Sequence, residues 1–259
     1  CNLCKKLLNN DKTIRIICID NLCSGDLKNI EDLLDNSNFI FIKENIVTID
    51  YNKLLEKLEI TTIYQIFHLA CMASPVFYQN NPIETLDSCY IGTKKILEFS
   101  RIYKCRILFS STSEIYGNPT VNIQDESYFG NVNPIGIRAC YDEGKRVAET
   151  LCMEYNRIYN INISIIRIFN TYGPYMSKMD GRVIPNFINQ CLNNDDITIY
   201  GDGAQTRSFC YIDDQLDGIL RMINSNEIGP INIGNPISYK ISELANKIKL
   251  LTNSKSNII

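Results

Sequence analysis

Arg106-Ile107-Leu108-Phe109-Ser110-Ser111-Thr112-Ser113-Glu114-Ile115-Tyr116-Gly117, followed after a loop by Tyr141-Asp142-Glu143-Gly144-Lys145, is the stretch on which the fold turns. The apolar residues at 106–109 read as a short buried strand. Such a strand delivers Thr112, Ser113 and Glu114 to the carboxyl edge of a sheet, where open α/β folds bind ligands. Tyr141 and Lys145 are four residues apart, so on a helix they share a face and set an ammonium beside a phenol. A free phenol ionises near pH ~10, and a neighbouring cation favours the phenolate. Alone, a Tyr-x-x-x-Lys spacing is common on helices. Preceded by an apolar strand and a Ser/Thr cluster, it becomes a catalytic constellation.

Outward from this stretch, strand-like and helix-like segments alternate. Residues 14–19 are an apolar strand closed by Asp20, with further strands at 39–42, 63–69 and 163–169. Pro82 opens a helical pattern running to about Tyr103, and 140–159 carries another. This rhythm predicts βαβ units and an α/β, Rossmann-type, doubly wound parallel sheet. Beyond Gly173 the pattern breaks into shorter pieces: helices near 183–192 and 213–223, a strand at 197–200 and a last helix from Ser242. The division expected is therefore a core over 1–172 and a smaller lobe over 173–259, interleaved with it.

Composition narrows the classes. The 259 residues are 45% hydrophobic and 21% charged, with a net charge of −3. That balance offers no electrostatic case for a nucleic-acid partner or an anionic membrane. The eleven cysteines, several inside apolar runs such as Ile17-Cys18-Ile19, read as reduced core residues of a reducing compartment. Only Cys1 and Cys4 have CxxC spacing, and neither a second pair nor a histidine cluster joins them, so no metal is expected. No apolar run reaches the ~18 residues a membrane span needs, so a cytoplasmic location is expected, an anchor upstream of Cys1 being compatible with it. A chain beginning at Cys1 is expected to be processed or to be a piece of something longer.

Several ordered blocks carry a resemblance: His68-Leu69-Ala70 with Ala73-Ser74-Pro75, residues 111–117, Asn131-Val132-Asn133-Pro134-Ile135-Gly136, and Ala139 through Arg146. Arg167-Ile168-Phe169-Asn170-Thr171-Tyr172-Gly173-Pro174, Asp180-Gly181-Arg182-Val183, Tyr200-Gly201-Asp202-Gly203 and Gln205-Thr206-Arg207-Ser208-Phe209 extend it. In these the chain resembles, over essentially its whole length, the extended short-chain dehydrogenase/reductases of the NAD-dependent epimerase/dehydratase family, and within them the UDP-glucuronate decarboxylases (UDP-xylose synthases). The resemblance implies a carboxy-lyase that converts UDP-glucuronate to UDP-xylose and CO2 through a 4-keto intermediate, with NAD recycled in the site. Ser113 before Glu114 points to decarboxylation, because related dehydratases carry an Asp-Glu pair there.

The resemblance implies Thr112, Ser113, Glu114, Tyr141 and Lys145 as the catalytic set. Asp20, Asn21, Ser24, Gly25, Leu69, Cys71, Ser88, Ser110, Tyr141, Lys145, Thr171 and Arg182 would meet NAD. Tyr155, Asn170, Tyr200 and Arg207 would meet the UDP-sugar, Arg207 at the diphosphate because guanidinium binds phosphate oxygens bidentately. Asp20 would accept hydrogen bonds from the adenosine ribose and repel a 2′-phosphate, favouring NAD over NADP. A homodimer through a four-helix interface built from residues 84–103 and 140–159 is also implied.

Departures accompany the resemblance. The family's first strand and its glycine-rich turn would lie upstream of Cys1, leaving residues 2–9 as the rest of the following helix and two facing sheet edges unpaired in a 3-2-1-4 order. The C-terminus stops before the family's last strand–helix segment. Asp87 and Cys89 stand where a lysine and an asparagine are usual, Asn45 replaces an acidic residue, and Tyr175 replaces an arginine. Blander readings exist for single residues: Asp20 as a turn cap, His68 as a structural strand-end histidine, Tyr116 and Tyr172 as packing aromatics, Arg182 and Arg207 as surface arginines. The competing functions are a sugar-nucleotide 4,6-dehydratase or 4-epimerase on the same scaffold, or a non-catalytic homologue.

Overall fold

The computed structural model describes residues 1–121 and 123–259. Helix α1 (Asn2–Asn10) leads into strand β1 (Ile16–Asp20), a 3-10 turn over Leu27–Leu33, β2 (Phe39–Lys43) and α2 (Tyr51–Lys57). The Asp50 carboxylate starts α2 by accepting from the Asn52 and Lys53 amides, as an N-cap should. Then come β3 (Gln65–His68), α3 (Pro75–Asn80), α4 (Pro82–Asp87), a π turn over Ser88–Gly92 and α5 (Thr93–Tyr103). Pro75 and Pro82 sit in the first turns of α3 and α4, where a missing N–H costs nothing. β4 (Arg106–Thr112), a 3-10 turn over Ser113–Tyr116, α6 (Ala139–Tyr159) and β5 (Ile163–Ile168) follow. α5 and α6 both stop at a left-handed residue, Lys104 and Asn160. The remainder is β6 (Thr171–Tyr172), α7 (Val183–Asn193), β7 (Thr206–Ser208), β8 (Cys210–Tyr211), α8 (Ile212–Ile223), β9 (Ile231–Ile233), β10 (Ser238–Lys240) and α9 (Ile241–Leu251).

The main sheet runs β3-β4-β5-β9, all parallel, with Phe109 opposite Ile165 and Thr112 opposite Ile168. Its central strands read as near-continuous apolar runs because both faces are covered. Leu97, Ala148 and Cys152 of α5 and α6 cover one face, packing with Ile107, Phe109, Ile163 and Ile165. Leu3 of α1 and Leu216, Ile219 and Ile223 of α8 cover the other, against Leu108 and Ile166. This is the doubly wound arrangement expected. β1 and β2 form a separate parallel pair. Among the described residues β1 pairs only with β2 and β3 only with β4, so each leaves a sheet edge without a strand neighbour.

Two sequence readings change. The segment at 197–200 is not a strand: Ile197 makes one isolated bridge to Ile258 and is fully buried in the cluster that joins α7 to α9. The helix expected over 82–103 is interrupted by the π turn at Ser88–Gly92. Between these, the interleaving of the C-terminal part takes a definite form. α8 lies under the main sheet and β9 extends it beside β5, whereas α7, α9 and the β10–β7 pair stand apart in their own cluster.

Candidate active site

β4 carries the site. Its last residues, Ser110, Ser111 and Thr112, are buried, and the chain turns at once into the 3-10 segment that presents Ser113 and Glu114. The Thr112 hydroxyl holds that turn by accepting from the Glu114 amide at 3.2 Å. Ser110 Oγ donates to the His68 carbonyl at 3.1 Å, tying β4 to β3 across the strand ends.

α6 brings the second half. Tyr141 and Lys145 are 5% and 4% exposed, on the helix face turned to β4. Lys145 Nζ donates to the Ser110 carbonyl at 2.8 Å and lies 4.9 Å from the centre of the Phe109 ring. The Tyr141 ring stacks on Tyr78 with centroids 5.0 Å apart and planes 2° from parallel. Burial pushes the Tyr141 phenol up, the nearby Cys71 adds to that, and a hydrogen bond with Thr112 pulls it back. Burial dominates here, and Thr112 is the group that opposes it.

Glu114 forms an ion pair with Arg138, one helical turn before Tyr141. Sequence reading overlooked Arg138, although a guanidinium three residues before the tyrosine was there to be noticed. Asp142, also buried, faces the same cleft, and burial raises its carboxyl to about 6 while Arg138 opposes the shift. One of its oxygens has no hydrogen-bond partner.

Two cavities flank these residues. The larger is a cleft of about 1160 Å³ whose lining includes Ser113, Glu114, Arg138, Asp142, Asn170 and Arg207. The smaller, about 220 Å³, lies at the carboxyl ends of β1, β2 and β3 and is lined in part by Asp20, Asn21, Ser24, Leu69, Cys71 and Ser88. Gly25 closes beside it: a methyl group there would come within 4.0 Å of both Asp20 oxygens. Asp20 Oδ1 accepts from the Leu22 amide at 2.7 Å, so the turn-capping role is present as well.

Other expected residues fall nearer or farther. Asn170 donates to the Ser208 carbonyl at 3.3 Å, joining the end of β5 to the strand that carries Arg207. Thr171 bonds Gln215 at 3.2 Å. Arg182 clasps Asp180 through two bonds of 2.5 and 2.7 Å and lies near Tyr141. Tyr200 is 86% exposed, outside the residues lining either cavity. Tyr155 lies outside the residues that line either cavity. Its hydroxyl donates to Glu98 at 2.6 Å and its ring belongs to the apolar core. It shares a helix face with Tyr141, but fourteen residues at ~1.5 Å each put it roughly 21 Å farther along. His68 is structural, its Nε2 3.0 Å from Thr93 Oγ1 and its imidazole lowered to about 3 by burial. Tyr116 donates to Asn232 at 2.8 Å, and Tyr172 packs edge-on against Tyr211.

Residues 1–234 match the NAD dependent epimerase/dehydratase family. The chain belongs to that family. Within it, the chain is 45% identical to UDP-glucuronic acid decarboxylase 3 of Arabidopsis thaliana, an alignment covering 99% of this chain and 72% of that one. UDP-glucuronic acid decarboxylase 1 of Danio rerio is 44% identical over 94% of this chain and 56% of its own length. Among solved structures, UDP-glucuronic acid 4-epimerase from Bacillus cereus, in complex with UDP-glucuronic acid and NAD, superposes with a TM-score of 0.84 at 28% identity, covering 100% of this chain and 81% of that one. The dTDP-glucose 4,6-dehydratase of Bacillus anthracis in complex with NAD gives 0.83 at 25% identity, covering 100% and 79%. Among the described residues no helix is long and apolar enough to cross a membrane, and no group of three or more His, Cys, Asp or Glu gathers to hold a metal ion.

Proposed function

We propose that this chain converts UDP-glucuronate to UDP-xylose and CO2, using bound NAD. The observation that carries this reading is the 45% identity to UDP-glucuronic acid decarboxylases across nearly the whole chain. The site supports it: a carboxylate–guanidinium pair, Glu114 with Arg138, stands in the cleft beside the small Ser113, opposite the buried Tyr141.

The residues of the smaller cavity fit the cofactor. Asp20 ends β1 with one oxygen free of its turn, placed to accept from ribose hydroxyls and to repel a 2′-phosphate. Asn21, Ser24 and Gly25 border that end, and Leu69, Cys71 and Ser88 form the wall. Ser110, Lys145, Thr171 and Arg182 complete the cofactor side. Held there, NAD would supply a hydride acceptor for C4 of the sugar that is restored within the cycle.

Tyr141 removes the C4 hydroxyl proton. Lys145 is fixed by the Ser110 carbonyl and supplies positive charge along the same helix face. Thr112 lowers the phenol by a hydrogen bond, and the phenol, once it holds the C4 proton, donates to the C4 oxygen as that becomes carbonyl and then enolate. The resulting ketone is β to the C5 carboxylate, which leaves as CO2 while the C–C bonding pair passes into the enolate, and a proton added at C5 then restores the ketone. Arg138 holds that carboxylate in place, and Glu114 limits how firmly Arg138 neutralises it, keeping the C–C bond ready to break. Arg207 and Asn170 take the diphosphate and sugar side of the cleft, with Tyr200 on its outer approach.

The chain assembles as a homodimer through α4, the π turn, α5 and α6, where Ile83, Tyr90, Ile91, Ile102 and Ile158 are exposed. Light scattering checks this. Product mass decides the reaction: incubation with UDP-glucuronate and NAD yields a nucleotide sugar lighter by CO2, with no net NADH. A product of unchanged mass but altered stereochemistry would mean 4-epimerisation and overturn the decarboxylase reading.

A further inference from the structure

Two cysteines meet where the two halves of the site come together. Cys71 follows β3 and lines the smaller cavity, and Cys89 lies in the π turn between α4 and α5. Their sulfurs are 3.4 Å apart. A disulfide needs ~2.05 Å, so closing the bond asks for a shift of about 1.4 Å shared between two side chains. Cys89 is 2% exposed and pressed on α6 at Gly144, where any β-carbon would come within 3.0 Å of its sulfur. The π turn, a feature that often marks functional positions, aims Cys89 at Cys71.

We infer that Cys71 and Cys89 form a reversible disulfide in the wall of the cofactor cavity, made by a peroxide and undone by a dithiol. No cysteine role of this kind belongs to the reaction described above, and the inference stands whether or not the chain is a decarboxylase.

The chemistry divides the roles. Cys71 is the one reached from the cavity, and its thiol is brought down to about 7 chiefly by a hydrogen bond from Cys89, with the Lys145 charge helping against burial. Cys89 is pushed the other way, so the proton of the pair resides on it. The Cys71 thiolate attacks a peroxide oxygen, the O–O bond breaks, and the departing hydroxide collects a proton as water. Cys71 is then a sulfenic acid. Cys89 sulfur attacks it, the S–S bond forms, the S–O bond breaks, and the second hydroxide leaves with the Cys89 proton as water. Two thiols have given two electrons to one peroxide, and atoms balance.

The bridge ties the segment after β3 to the π turn and removes a thiolate whose charge holds the Tyr141 phenol up. Oxidation therefore acts on the cavity wall and on the phenol at once.

Trypsin makes the test direct, because fragment 58–94 contains Cys71 and Cys89 and no other cysteine. The intact chain is treated with hydrogen peroxide, its remaining thiols are alkylated, and the fragment is weighed. The expected result is a fragment that takes up no alkyl group and has lost two hydrogen atoms. Its two pieces should stay joined after further cleavage at Glu84 and separate with dithiothreitol. In Cys89→Ser the Cys71 sulfur should instead gain oxygen atoms, and in Cys71→Ser the Cys89 thiol should remain alkylatable. A wild-type fragment that alkylates at both cysteines after peroxide, or that gains oxygen on Cys71 as Cys89→Ser does, would overturn the inference.

Discussion

Replacing Tyr141 by phenylalanine removes one oxygen from the site and little else. The ring keeps its stack on Tyr78 and its packing with Met72 and Cys140. What is lost is the hydroxyl's interaction with Thr112, which holds the phenol down against burial, and one hydrogen bond contributes roughly 0.5–1.5 kcal/mol net. At ~2.1 cal/mol/K of unfolding entropy per residue, that lowers the melting temperature by about 1–3 °C in a chain of this size. The chemical cost is larger. Proton transfer by a positioned side chain contributes about 10²–10⁴-fold, or about 3–5 kcal/mol of barrier. Tyr141→Phe is therefore expected to melt almost like the parent and yet lose at least a hundredfold in turnover, with no transient NADH absorbance in a stopped-flow mix with UDP-glucuronate. Turnover within tenfold of wild type, with melting unchanged, would show that another group takes the C4 proton and would refute the role given to Tyr141.

Other substitutions separate other parts of the scheme. Glu114→Gln should let NADH absorbance build up while CO2 release slows by tenfold or more; a variant that releases CO2 at the parental rate would remove Glu114 from that step. Glu149→Gln leaves the Arg167 guanidinium, 9% exposed and bonded twice to Glu149 at 2.8 and 3.0 Å, without its counter-charge. Breaking such a buried pair costs about 3–5 kcal/mol, so calorimetry should show the melting temperature down by roughly 5–9 °C. Asp142, raised to about 6 in the folded chain from an unfolded value near ~4, weakens the fold as pH rises through that window, because the folded state holds the proton longer. Asp142→Asn should therefore raise the melting temperature at pH 7 and leave it unchanged at pH 4; equal effects at both would mean the carboxyl is not the cause.

Much of this was legible in the sequence because local pattern and tertiary role agree. The apolar runs of β4 and β5 can only be strands covered on both faces, and the Ser/Thr cluster after β4 can only emerge at the sheet's carboxyl edge. Three features were not legible. Residues 197–200 alternate like a strand, but Ile197 and Ile199 bond to Asn257 and Ile259, far off in sequence, and no ladder develops. The π turn hides within a helical pattern, since one slipped hydrogen bond scarcely disturbs the apolar stripe. Arg138 went unnoticed for a different reason: its partner, Glu114, lies 24 residues away and meets it only when β4 and α6 have been brought side by side.

The way β9 inserts beside β5 has a consequence for the order in which the molecule is made. β5 ends at Ile168, and the strand that covers its far edge begins about 60 residues later. At ~5–20 residues per second of translation, β5 waits on the order of 3–12 seconds with that edge open to any other nascent strand. α8, which seals the sheet beneath it, leaves the ribosome only shortly before β9. The decisive interval for yield in the cell is therefore the synthesis of the residues that join β5 to α8. Slow codons there should lengthen aggregation-prone exposure, whereas the same codons after Ile233 should not.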